Sequence, residues 1–195
     1  MRLDWSNDVA VCIASGPSLK REQVNYVYGR AKVIAVNNNW ELAPWADVLY
    51  ACDVKWWNHY RGVPEFFGVK YSLEPTIFED VHQLKDSGGE EFAVEWPEIC
   101  TGVFGNSGLQ AINLAYHFGA RKIILLGYDM QYTNGKKHWH PDHPSGMNNA
   151  NPVIQWVENF ERLAPILADK GLNIINCTRK TALKCFPQAE IRKVL

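Results

Sequence analysis

The sequence predicts an α/β fold with a mostly parallel sheet and helices on both faces. The first observation is a set of short apolar runs, each of which ends in polar residues, as parallel strands do at the carboxyl edge of a sheet. The second is a helix, a glycine stop and an apolar strand in succession over residues 109–126. A chain of 195 residues with 47% hydrophobic and 21% charged residues fits one ordered domain.

The first strand is predicted over Val-Ala-Val-Cys-Ile-Ala, residues 9–14, and is followed by Ser15, Gly16, Pro17 and Ser18. Six apolar residues that end at a Gly-Pro turn are typical of a buried central strand. A turn of small residues lets backbone N–H groups approach a phosphate, so this loop is a candidate nucleotide site. The same residues can also simply end a strand and begin a helix. They match neither the dinucleotide fingerprint nor the P-loop.

The next two predicted strands also end in polar side chains. A short helix over 20–29 precedes a strand over 31–36, which ends at Asn37, Asn38 and Asn39. Amide groups both donate to and accept from a ribose, a base or a sugar, so we expect at least one of these three to contact a ligand. A third strand over 46–52 ends at Asp53.

The middle of the chain is irregular before regular structure returns. Residues 63–99 predict one or two short strands and long loops. The glycine-rich segment 101–108 precedes a helix predicted over 109–118, which Asn106 or Ser107 would cap. The N–H groups at the N-terminus of this helix would form a second candidate anion-binding site. The strand over 121–126 is followed by Asp129.

The last third combines a long polar loop with one more helix and strand. Residues 131–151 lack a regular period, and long loops in compact domains are more often functional than idle. An amphipathic helix is predicted over 152–167, with a kink at Pro165, and a last strand over 172–176. We therefore expect one domain over 1–195, with an irregular insert near 63–99 and a histidine-rich loop over 131–151.

Composition excludes several classes of partner. The net charge is −1 and no block of five Lys or Arg occurs, so the sequence shows no basic patch that would bind nucleic acid or anionic lipid. Five Cys without a C-x-x-C motif favour reduced thiols in a cytoplasmic protein. The N-terminus lacks a signal-peptide pattern, and no apolar stretch approaches 18 residues, so we expect no membrane span. A homo-oligomer is compatible with this composition.

Three of the six His lie within six residues, at His138, His140 and His143, together with Asp142. Their H-x-H-x-D-H spacing matches the metal signature of metallo-β-lactamases, but those enzymes need further His ligands and no His follows position 143. A single metal site, a solvated polar loop and an acid or base group near neutral pH remain open. Asp129 is placed to touch a ligand or to orient such a His.

Three segments together resemble a known superfamily: Ile-Ala-Ser-Gly-Pro-Ser-Leu at 13–19, Val-Asn-Asn at 36–38, and Leu-Gly-Tyr-Asp at 126–129 before a His-bearing loop. They resemble bacterial sialyltransferases with a Gly-Asn-Gly-Pro-Ser-Leu loop and, more loosely, flagellin-glycosylation accessory proteins and archaeal pterin diphosphokinases. Small proteins of tailed phages and prophages are similar across nearly the whole chain, and no known activity comes with that likeness. Ser15 stands where the sialyltransferase loop has Asn.

The sialyltransferase resemblance implies a single Rossmann-like domain that binds a CMP-sugar without a metal or other cofactor. It places Gly16, Pro17 and Ser18 beside the phosphate and Asn37 or Asn38 beside the donor. Asp129 closes the pocket, and His143 acts as general base, with His140 as the alternative. Tyr132 lies one residue from the Tyr that assists phosphate departure. The candidate site is thus catalytic His143, His140, Asp129 and Tyr132, with donor-binding Ser15, Gly16, Pro17, Ser18, Asn37, Asn38, Asp53 and Ser107.

The leading prediction is a metal-independent transferase that uses a nucleotide-activated donor, with a nucleotide sugar as its small-molecule partner. One alternative is diphosphate transfer from ATP, which requires Mg²⁺ and for which Asp53 and Asp129 are the candidate ligands. The other is a phage assembly or binding protein that keeps the fold without its chemistry.

Overall fold

A seven-stranded, all-parallel sheet forms the centre of the computed structural model, which describes residues 1–89, 92–100, 105–144, 146–147 and 153–195. Its strands are β1 (Val9–Ile13), β2 (Lys32–Val36), β3 (Val48–Ala51), β4 (Val69–Ser72), β5 (Val81–Gln83), β8 (Lys122–Leu126) and β9 (Asn173–Asn176). They lie in the order β5-β4-β3-β2-β1-β8-β9 across the sheet. Two further strands, β6 (Lys85–Asp86) and β7 (Glu98–Ile99), pair with each other in a separate ribbon.

Helices cover both faces of the sheet, so the predicted α/β fold with a parallel sheet is confirmed. The helices are α1 (Arg21–Val27), α2 (Val54–His59), α3 (Ser107–His117), α4 (Val153–Asp169) and α5 (Ile191–Val194). Apolar residues of α3 and α4 pack into the core on one face, and those of α1, α2 and α5 pack into the core on the other. Apolar helix stripes on both sides leave the central strands almost wholly buried, as the continuous apolar runs predict.

The segment 63–99 contains more sheet than its sequence indicates. Both β4 and β5 extend the main sheet, although β4 reads Val-Lys-Tyr-Ser and lacks an apolar run. Lys70 of β4 is buried because its ammonium group donates to the carbonyl oxygen of Gly62 at 2.8 Å and pairs with Asp80 at 2.7 Å. A buried charge is tolerated when it is paired in this way, but a lysine in a sequence ordinarily indicates a surface position.

The ends of the other predicted elements that lie within the described residues agree with the structure to within two residues. The helix predicted over 152–167 is α4, which continues through Pro165 to Asp169, and its predicted start at Pro152 lies outside the described residues. Residues 101–104 of the predicted glycine-rich loop also lie outside them. Among the described residues, no helix combines the length and apolarity needed to cross a bilayer.

Candidate functional site

A pocket of about 400 Å³ lies at the carboxyl edge of the sheet, where β3, β2, β1 and β8 end. This volume is within the range of small-molecule sites. Adjacent strands are about 4.8 Å apart, so the residues that follow these four strands form a continuous rim. The residues that line the pocket are Ala14, Ser15, Gly16, Val36, Asn37, Cys52, Asp53, Gly105, Asn106, Ser107, Gly108, Gln110, Gly127, Asp129, Met130, Gln131, Lys137, His138, His143, Val153 and Trp156.

Seven of the twelve predicted site residues line this one pocket. They are Ser15, Gly16, Asn37, Asp53, Ser107, Asp129 and His143. The remaining five, Pro17, Ser18, Asn38, Tyr132 and His140, are not among the residues that line it. Residues far apart in the chain therefore meet at one edge of the sheet, as the strand endings indicated.

The Gly-Pro-Ser loop uses its own N–H groups for internal contacts. Gly16 N donates to the carbonyl oxygen of Gly127 at 2.8 Å, and Ser18 N donates to Asp129 Oδ2 at 2.9 Å. Pro17 has no N–H to offer. A Cβ added at Gly16 would collide with the Asp129 carboxylate and the Gly127 carbonyl, so glycine is required here by the packing of two loops. The donors expected to cradle a phosphate are thus already engaged.

Asp129 holds the loops around the pocket together. Its Oδ1 accepts from the Ser18 hydroxyl at 2.8 Å, and its Oδ2 accepts from the Thr133 hydroxyl at 2.9 Å as well as from Ser18 N. Burial raises the pKa of Asp129, while the hydrogen bonds from Ser18 and Thr133 lower it. Only 2% of the residue is exposed, and three donors occupy its oxygens, so its geometry is that of a positioning residue.

The three consecutive Asn residues have different environments. Asn39 donates to Ser15 Oγ and to two strand-end carbonyls, and Asn38 accepts from the indole of Trp56 while donating to Tyr60 and Glu41. Asn37 lines the pocket, and its side chain makes no hydrogen bond to a described residue. Its φ of 51° is left-handed, a region in which non-glycine residues are uncommon and Asn is enriched. Asn37 is therefore the one amide of the three that is available to a ligand.

The N-terminus of α3 opens into the pocket. Asn106 Oδ1 caps the helix by accepting from Leu109 N at 3.0 Å. The N–H groups of Ser107 and Gly108 donate to no described residue, and both residues line the pocket. A Cβ at Gly108 would lie 2.8 Å from the Tyr128 ring and 2.9 Å from Asn106 Oδ1, so glycine permits this close packing. Open N–H groups and the helix dipole both favour an anion here.

Trp139 fixes the histidine-rich loop to the sheet. Its backbone N–H donates to the carbonyl oxygen of Ser15 at 3.1 Å, and its indole N–H donates to Asn39 Oδ1 at 3.0 Å. These two bonds join the loop to the ends of β1 and β2. The neighbouring residues Lys137 and His138, together with His143, consequently line the pocket.

The three imidazoles form one cluster at this side of the pocket. The ring centroids of His138 and His140 are 4.8 Å apart with nearly parallel planes, and His143 lies 5.6 Å from His138 and 5.0 Å from His140. Burial, with a smaller contribution from neighbouring imidazoles, lowers the pKa of His138 and of His143 to about 4. Burial also lowers the pKa of His140. At neutral pH all three rings are uncharged.

The pocket also contains a carboxylate and a fixed amide. Burial raises the pKa of Asp53, and the nearby Glu74 raises it further. Gln110 lies within α3, and its Oε1 accepts from the Tyr50 hydroxyl at 2.9 Å, which sets the orientation of the amide. No group of three or more His, Cys, Asp or Glu side chains in the described part of the chain is arranged to hold a metal ion.

The predicted site residues leave out several polar and aromatic residues that line the pocket, among them Lys137, His138, Gln110 and Trp156. The first two lie in the loop that was already identified, but nothing in a loop's sequence indicates which side chains turn inward. Gln110 and Trp156 lie in helices, where a polar or aromatic residue next to a core position is ordinarily read as packing.

Comparison with known proteins adds no residue to this site. No family model, no curated protein and no solved structure matches the chain. The function proposed below therefore depends on the geometry and chemistry of the pocket.

Proposed function

We propose that this protein is a metal-independent transferase that uses a nucleotide-activated donor, and that the donor is a nucleotide sugar. The observation that carries the proposal is the convergence, in one pocket at the carboxyl edge of a parallel sheet, of an open helix N-terminus, an unengaged amide and uncharged imidazoles. Open α/β sheets bind ligands at this edge, next to the point where the strand order reverses. Here that point lies between β1 and β8.

The donor phosphate would lie at the N-terminus of α3. The N–H groups of Ser107 and Gly108 and the Ser107 hydroxyl can donate to phosphate oxygens, and Lys137 supplies a positive charge on the same pocket. The Gly-Pro-Ser loop, whose N–H groups already have partners, would then shape the floor of the pocket.

The nucleoside would lie toward Asn37 and Asp53, which follow β2 and β3. Asn37 stands 21 residues after Gly16 in the sequence, close to the spacing at which dinucleotide-binding domains place a ribose-binding carboxylate. An amide both donates to and accepts from ribose hydroxyls without adding a negative charge beside the phosphate. Asp53 can accept from a hydroxyl or an amino group of the ligand.

The acceptor hydroxyl would lie toward the imidazoles, with His143 as general base. Its O–H bond breaks and the proton moves to the imidazole, while the oxygen forms a bond to the sugar carbon. The bond from that carbon to the phosphate oxygen breaks, and the electron pair leaves with the phosphate. Because burial lowers its pKa to about 4, the His143 ring is uncharged at neutral pH, and it becomes an effective base only when the negative charge of the bound donor raises that pKa.

Titration calorimetry with CMP-, UDP- and ADP-sugars tests the donor assignment. We expect heat from at least one of them, and a tenfold or greater loss of affinity in Lys137→Gln. The matched control is Lys136→Gln, an exposed lysine outside the pocket, which should bind as the wild type does. Absence of heat from all three donors, with protein shown to be folded, would reject the proposal.

Diphosphate transfer from ATP is the second candidate, and the neighbouring carboxylates Asp53 and Glu74 favour it. Mg²⁺ held by a carboxylate would bridge the phosphates in such a reaction. Asp129, the other carboxylate in the pocket, already accepts three hydrogen bonds. Nucleotide binding that requires Mg²⁺ and is lost in Asp53→Asn would favour this candidate, and nucleotide binding without any turnover would favour a non-catalytic binding protein.

A further inference from the structure

His140 lies behind the two imidazoles that line the pocket. It is 9% exposed and does not line the pocket, yet its ring is stacked on His138 and lies 5.0 Å from His143. Its Nδ1 is 2.7 Å from the carbonyl oxygen of Pro141, which accepts and therefore requires a proton on Nδ1. The ring is thus held in one tautomer and in one orientation.

Two ring nitrogens of the cluster are buried and have no hydrogen-bond partner among the described residues. These are Nε2 of His140 and Nε2 of His138. With its proton on Nδ1, the neutral His140 ring has a lone pair on Nε2, and that lone pair has no donor among the described residues. An unsatisfied buried polar atom is costly, and such atoms are commonly associated with function. The solvated loop that the sequence left open does not account for this arrangement.

We propose that His140 is a positioning residue that holds His138 and His143 as an uncharged imidazole pair facing the pocket, and that His138 is the second member of the acceptor-binding side. The stack excludes water from one face of His138, and the contact with His143 restricts the rotation of that ring. The assignment of a proton-accepting role to this pair depends on the function proposed above, whereas the positioning role of His140 does not.

The charged and titratable groups around the cluster come from three elements. Lys137 and Asp142 lie in the same loop, His59 ends α2, and Glu41 follows β2. The carboxylates of Asp142 and Glu41 favour protonation of the rings, while Lys137 and His59 oppose it. Burial has a larger effect on the pKa of each ring than these opposed charges, and the stack of His138 and His140 contributes to that burial.

The test follows the imidazole signals of ¹⁵N-histidine-labelled, full-length protein by NMR from pH 4 to pH 8, without any ligand. In the wild type, we expect His138 and His143 to stay uncharged until the pH falls below about 5. In His140→Ala, water reaches both rings, and the pKa of each should rise toward 6.5. His140→Phe retains a flat ring in the stack, so the rise should be clearly smaller. His82→Gln, at the β5 edge of the sheet, is the matched control and should change neither pKa.

Three outcomes would overturn the proposal. One is a pKa near 6.5 for His138 and His143 in the wild type, and another is an unchanged pKa for both in a folded His140→Ala protein. The third is tight binding of added Zn²⁺ that shifts all three rings together and is lost in His140→Ala, which would make the cluster a metal site. Because no nucleotide is present, these results are independent of whether the donor assignment is correct.

Discussion

The Asp129 carboxylate accepts both the backbone N–H and the hydroxyl of Ser18, at 2.9 and 2.8 Å, across 111 residues of sequence. This pair joins the loop after β1 to the loop after β8. The two strands are neighbours in the sheet, at the point where the strand order reverses. Removal of the carboxylate should therefore destabilise the contact between these two loops, rather than remove a direct contact with a ligand.

We expect Asp129→Asn to lower the free energy of unfolding by about 1–3 kcal/mol, because an amide has one acceptor oxygen where the carboxylate offers two. Urea denaturation measures this change. The exposed Asp169→Asn at the end of α4 is the control and should stay within about 0.5 kcal/mol of the wild type. Equal stability of the two variants would contradict a structural role for Asp129.

Substitutions at Asn37 and at Asn38 should have different effects, the first on ligand affinity and the second on the free energy of unfolding. Asn37→Gly keeps the left-handed backbone and removes the amide, so we expect a tenfold or greater loss of nucleotide affinity with a stability change below about 1 kcal/mol. Asn38→Ala leaves the Trp56 indole N–H without its acceptor, so we expect a loss of about 1–3 kcal/mol with unchanged affinity. Calorimetry and urea denaturation of both variants check this, and the reverse pattern would show that Asn37 is structural.

Trp139→Phe should release the histidine-rich loop while retaining most of the ring's packing. The variant loses the hydrogen bond from the indole N–H to Asn39 Oδ1, so we expect the pKa of His138 and of His143 to rise as water enters the cluster. Histidine NMR signals measure this rise. Trp45→Phe, far from the pocket at the opposite edge of the sheet, should leave both values unchanged. If the two variants behave alike, the indole bond does not hold the loop.

Stability should fall in acid because of the imidazole cluster. A His with a pKa of about 4 when folded and about 6.5 when unfolded binds more protons unfolded, so its contribution is present above pH 6.5 and is lost as the pH falls toward 4. After allowance for solvent screening of half-buried rings, we expect about 1–3 kcal/mol to be lost in total between pH 7 and pH 4. A His138→Gln, His143→Gln double variant should show a smaller loss over this interval by urea denaturation. An equal loss would place the acid sensitivity elsewhere.

The sequence was most informative where local signals agree with one another. Helix, glycine stop and apolar strand coincide around Gly119, which adopts a φ of 96°, and the predicted bounds there are nearly those observed. The sequence predicted one or two short strands over 63–99 but did not place β4, because Lys70 is buried in an ion pair whose partner, Asp80, lies ten residues away. A pairing of this kind has no local signature.

Several residues that line the pocket could be predicted from their positions after the strands, but the role of each residue could not. A Gly-Pro-Ser turn has the same sequence whether its N–H groups hold a phosphate or, as here, the Gly127 carbonyl and Asp129. Likewise, nothing in the sequence distinguishes Asn37 from Asn38, because the difference lies in the hydrogen bonds that Asn38 forms with the side chains of Trp56 and Tyr60. Partners distant in sequence decide which polar groups remain for a ligand.

The most direct measurement of the central claim is a crystal structure of the protein soaked with CMP-, UDP- and ADP-sugars. We predict a nucleotide in the 400 Å³ pocket, with phosphate oxygens accepting from the N–H groups of Ser107 and Gly108 and the ribose beside Asn37. A nucleotide bound at another surface, or a phosphate placed against the imidazoles rather than the start of α3, would contradict it.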